Sequence, residues 1–154
     1  NKRWVMADLD VFKEDFALLF EAGMVAIKQG DEASAKALFQ ALQVLDPEHT
    51  AHELGSGLLH LHKMELTKAE VLFRAIVEKD PENWSAKAFL SLTLMMIVLQ
   101  QGSSFEVRRS SLERCLQLAD QVLESCEVES TRALAKSVLD WHDGLVAKSG
   151  GPLN

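Results

Sequence analysis

The chain has 154 residues, is 47% hydrophobic and 25% charged, and sets 16 Lys and Arg against 23 Asp and Glu for a net charge of −7. That length suits one folded domain, and the composition is too apolar for intrinsic disorder. The negative balance excludes a nucleic-acid partner, since Lys2-Arg3 and Arg108-Arg109 are too short to neutralise a phosphate backbone.

Glycine and proline fall at joints, and the segments between them carry an apolar period near 3.6, which predicts an all-α fold of about seven helices. The first runs from about Asp8 to Gln29, with Leu9, Phe12, Phe16, Leu19, Phe20, Ala22, Met24 and Ile27 on more than one face. Gly30 can take a left-handed cap, and Asp31 can cap the next helix. That helix spans Glu32 to Leu45, turns Ala35, Leu38, Phe39, Leu42 and Leu45 inward, and stops at Asp46-Pro47.

Thr50 then caps a third helix to about His62, and Thr67 begins a fourth that ends near Lys79, before Asp80-Pro81. A fifth, from Trp84 to about Gln101, is strongly apolar. Gly102-Ser103-Ser104 separates it from a sixth over Phe105 to Leu123. The seventh, from about Ser130 to Lys148, would cover the open end of the array, and residues 149–154 read as a tail.

Cys115 and Cys126 lie eleven apart in a helical pattern, about 16 Å along the axis, too far for a disulfide within one helix. The N-terminal residues reach Asp8 and Asp10 before any apolar run develops, which predicts no signal peptide. The longest apolar run, Leu92 to Leu99, falls short of the ~20 residues of a membrane span, so the expected location is the cytoplasm.

A 34-residue echo organises these elements: Gly23 returns as Gly57, Ala35 as Ala69, Leu38-Phe39 as Leu72-Phe73, and Asp46-Pro47-Glu48 as Asp80-Pro81-Glu82. Counted from Phe16, the glycine, alanine, phenylalanine and proline fall at the eighth, twentieth, twenty-fourth and thirty-second places, which resembles the tetratricopeptide repeat. The resemblance implies one repeat domain over 1–148, with units at about 16–49 and 50–83, a degenerate unit at 84–125 and a capping helix at 130–148. The third unit lacks the alanine and phenylalanine expected at Ser103 and Val107. Within the first, Ala22-Gly23, Gly30, Ala35 and the string Phe39-Gln40-Ala41-Leu42-Gln43-Val44-Leu45-Asp46 resemble the class II chaperones of bacterial type III secretion, which hold hydrophobic translocator subunits.

In the repeat family, the first helix of each hairpin lines a concave face. The resemblance therefore places Phe20, Met24 and Ile27, then Leu54, Leu58 and Leu61, then Leu92, Met95 and Met96 on that face. Such a surface calls for an occupant, expected to be a hydrophobic or amphipathic segment of a secreted or translocator protein. The alternative is a structural adaptor whose groove is filled by its own terminal helix, which carries Trp141, and which assembles complexes through other surfaces. Phe20 and Met24 stand where carboxylate-gripping members of the family present lysine and asparagine, which excludes that use of the groove. Trp4, Val5, Leu9 and Phe12 would otherwise be partly exposed and suit a homodimer through the N-terminal helix.

Five histidines invite a metal reading, but His60 and His62 point to opposite sides of a helix, and His49 with His52 has no nearby cysteine. The chain carries no nucleophile elbow, phosphate-cradling glycine loop or Cys-Xaa-Xaa-Cys motif. Neither enzymatic activity nor a cofactor or metal is expected.

Overall fold

A computed structural model describes the backbone of residues 2–100 and 102–149 and the side chains of 13–100 and 102–148. The side chains of Trp4, Val5, Leu9 and Phe12, and the tail beyond 149, lie outside these residues. Among the described residues the structure is entirely helical, with α1 (Lys2–Lys28), α2 (Glu32–Leu45), α3 (Ala51–His62), α4 (Leu66–Lys79), α5 (Trp84–Leu99), α6 (Phe105–Ser125) and α7 (Glu129–Ser149). They form two compact units, Asn1–Lys63 and Met64–Asn154.

In the first unit α1, α2 and α3 pack on one another. Gly30, at φ 75°, ends α1, and Asp31 accepts a hydrogen bond from the Ser34 N–H at 3.1 Å to start α2. Hydrogen bonds from Ser34, side chain first and then backbone, hold the Asp31 carboxyl below its usual range. The core is organised around Phe39, 2% exposed, whose ring lies against Gly23 of α1 and Gly55 of α3. A methyl group at either glycine would overlap that ring, so both helices need glycine to approach α2 this closely. The 34-residue echo singles out Gly23; Gly55 has no counterpart in it.

Three expectations for this unit are corrected. The first helix begins at Lys2 rather than near Asp8. Leu45, expected inward, is 44% exposed; Ala35, Phe39 and Leu42 carry the buried stripe. Thr50 precedes α3 but makes no side-chain cap; the Ala51 N–H instead donates to His49 Nδ1 at 3.0 Å. The His52 Nε2 donates to the Pro47 carbonyl at 3.2 Å. The two histidines are thus spent on backbone groups of the α2–α3 turn.

The second unit is built around α5, which packs on α4, α6 and α7. A helix covered on that many sides has to be apolar all round, as α5 is, with Ala86, Ala88, Leu90, Leu94, Met95 and Ile97 buried. Its N-terminus is capped by Asn83, which accepts from the Ala86 N–H at 3.0 Å. Phe73 of α4 stacks on Phe89 with centroids 5.9 Å apart. Where α6 departs from the repeat period, small residues make the contact: Cys115 and Ala119 are fully buried, and Ser91 donates to the Cys115 carbonyl at 2.8 Å. Both cysteines are free and buried. Arg132 of α7 donates to the carbonyls of Leu123 and Cys126, satisfying the open C-terminus of α6.

Candidate functional site

Phe20, Met24 and Ile27 fall at i, i+4 and i+7 on α1, and Leu54, Leu58 and Leu61 repeat that spacing on α3. Each set therefore forms one stripe of its helix. In each, one member joins the core, Ile27 at 5% and Leu58 at 8% exposure, while the other two stay partly exposed. Phe20 leans on the Phe39 ring at a centroid separation of 6.1 Å, which anchors the α1 stripe to the same aromatic that orders the unit. Phe16, one turn earlier, meets the His49 ring edge-on at 4.6 Å. The first unit thus offers Phe20, Met24, Leu54 and Leu61 as partly exposed apolar side chains, Phe20 among them resting on the core aromatic.

On α5 the outcome differs. Leu92 and Met96 are partly exposed, but Met95 is wholly buried and has no surface to offer a partner. The same helix is covered by α7: Ala88 is fully buried with Ala119, Val122, Cys126 and Ala135, and Leu134 and Leu139 pack against that cluster. Trp141 of α7 is 45% exposed. Periodicity could not have sorted these residues, because a helix apolar on every side points in no direction.

The sequence reading passed over a charged group in this unit. Lys87 is only 9% exposed, with Nζ 3.0 Å from Gln121 Oε1 and 4.9 Å above the Trp84 ring centroid. Burial pushes its pKa down, the Arg114 charge adds to this, and Glu82 opposes it. A cleft between α4 and α6, lined in part by Arg74 and Arg114, lies in the same unit. Among the described residues no group of three His, Cys, Asp or Glu is placed to hold a metal ion, and no helix is long and apolar enough to cross a membrane.

No curated protein and no solved structure matches the chain. A family model does: that of a bacterial type III secretion protein, HrpB1_HrpK, over residues 6–103, a span that takes in α2 to α5 entire and most of α1. That span is more than half of the chain and contains every residue of both apolar stripes and of α5, so this protein belongs to the HrpB1_HrpK family of bacterial type III secretion proteins.

Proposed function

We propose that this protein is a non-enzymatic, cytoplasmic binding protein of type III secretion that holds a hydrophobic segment of another secretion protein against α1 and α3. The 34-residue echo supports reading its hairpins as tetratricopeptide-type repeats, in which the first helix of each pair presents the binding face. The observation that carries the proposal is the pair of stripes on α1 and α3, where Phe20, Met24, Leu54 and Leu61 keep accessible apolar surface while Ile27 and Leu58 root them in the core. A partner side chain buried there gains about 1.5–3 kcal/mol before ordering costs, so a few anchors suffice for a chaperone-like hold. Methionine at position 24 adds a side chain that reshapes to its occupant.

The test is a pair of aspartates. Met24→Asp with Leu61→Asp, both at partly exposed positions, is expected to leave the thermal melt of the chain within a few degrees of wild type. It should reduce recovery of the co-purifying secretion protein from the native cell at least about tenfold. A double variant that stays folded and keeps its partner contradicts the assignment of the surface.

A second reading rests on α7. Its packing on α5 supports a structural adaptor whose second unit is covered by its own last helix, assembling a complex through other surfaces. In that case Met24→Asp with Leu61→Asp leaves the assembly intact.

A further inference from the structure

We propose that the cleft between α4 and α6 in the second unit is a separate recognition site for an acidic segment of a partner protein, holding one carboxylate beside an apolar side chain. The cleft has a volume of about 550 Å³, within the range of peptide and small-ligand sites. Leu94 of α5 lies beneath it and Val107 of α6, 46% exposed, lines its wall. These are the apolar half of the site.

The polar half is Arg74, Arg114, Ser110 and Ser111, with Glu70 as the opposing charge. Two arginines against one glutamate leave a local excess of one positive charge in a chain whose net charge is −7. Glu70 Oε1 takes Arg74 Nη2 at 3.2 Å. Arg114 meets no carboxylate among the described residues; its Nη1 donates only to the neutral amide of Gln117, at 2.9 Å. A guanidinium is built for a two-pronged contact to a carboxylate, and here that capacity is unfilled. Arg114 also repels Lys87, so the positive field here comes from more than one side chain.

Ser111 adds a hydroxyl to the same wall. It is only 8% exposed, lines the cleft, and its hydroxyl makes no hydrogen bond among the described residues. A serine hydroxyl on a helix ordinarily turns back to a carbonyl of the preceding turn, as Ser110 does to Val107 at 3.3 Å. Among the described residues no buried side-chain nitrogen or oxygen lacks a partner, so the Ser111 hydroxyl is open to the solvent of the cleft, where it can donate to a carboxylate held by Arg114. The single excess charge and the apolar wall favour a peptide carboxylate over a polyanion.

The experiment follows the Ser111 amide and the Arg114 side-chain N–H by NMR in the intact chain, during titration with the blocked peptide Leu-Glu-Leu-Glu-Leu, with Leu-Gln-Leu-Gln-Leu, and with inorganic phosphate. The glutamate peptide is expected to shift both signals, and to bind at least about tenfold more tightly than the glutamine peptide. Arg114→Gln should remove that preference, Ser111→Ala should weaken binding several-fold, and Glu70→Gln, by freeing Arg74, should tighten it. Equal affinity for the two peptides overturns the proposal, as does full binding by a folded Arg114→Gln variant. Phosphate bound more tightly than the glutamate peptide overturns the choice of a peptide carboxylate. The comparison of the two peptides on the unaltered chain decides the question even where a variant fails to fold.

Discussion

Phe39 orders the first unit because two glycines, on different helices, clear the space for its ring. The ring is confined on both sides, so relief from one added methyl would drive it into the other helix. Gly55→Ala is therefore expected to lower the unfolding free energy by about 1–3 kcal/mol in urea melts, with part of the loss recovered when Phe39→Leu is added. Unchanged stability in Gly55→Ala would show that the ring is free to move. Gly23, Ala35 and Phe39 were legible in the sequence because the repeat spaces them regularly. Gly55 was not, since it meets Phe39 across hairpins and no period relates the two. His49 was equally hidden: a ring nitrogen capping α3 leaves no spacing rule to read.

Among the elements, helix ends were the most legible features, and for local reasons. Gly30-Asp31, Asp46-Pro47, Asp80-Pro81 and Gly102 act through backbone geometry within a residue or two, and each marks an observed boundary. Which face a helix buries depends on its neighbours, and there the reading weakened. On α1 and α3 the apolar stripes are narrow enough to give a direction. On α5 they are not, which is why Met95 turned out to be core.

Lys87 contributes a pH dependence to the second unit. Burial favours its neutral form, so its folded pKa lies below the ordinary value of 10.5 and the unfolded chain binds the extra proton. Stability therefore carries a penalty at neutral pH that lifts as pH rises through the folded pKa toward that value. Lys87→Met, which keeps the buried stem and drops the charge, is expected to raise the melting temperature at pH 7 and to flatten the alkaline gain. A melting temperature that falls at pH 7 would show that the contacts to Gln121 and Trp84 outweigh the burial cost.

At the scale of the whole molecule, the chain combines two helical units, each with its own core, in a member of a bacterial type III secretion protein family. The family match spans all nine groove positions read from the sequence, so the surface proposed on α1 and α3 lies within the matched residues. The structure sorts those nine positions into anchors and candidates: Ile27 and Leu58 are buried in the first unit and Met95 in the second, and the others keep accessible surface. The sequence named the residues because apolar stripes have a period; it could not separate the two roles, which depend on what packs beneath each stripe. The most direct test of the central claim is a photo-crosslinking amino acid placed at Met24 or Leu61 in secreting cells, with exposed Glu14 as the control position. The account predicts that positions 24 and 61 capture the same type III secretion protein through an apolar segment and that position 14 does not. Capture of that protein from position 14 but not from 24 or 61 would contradict it.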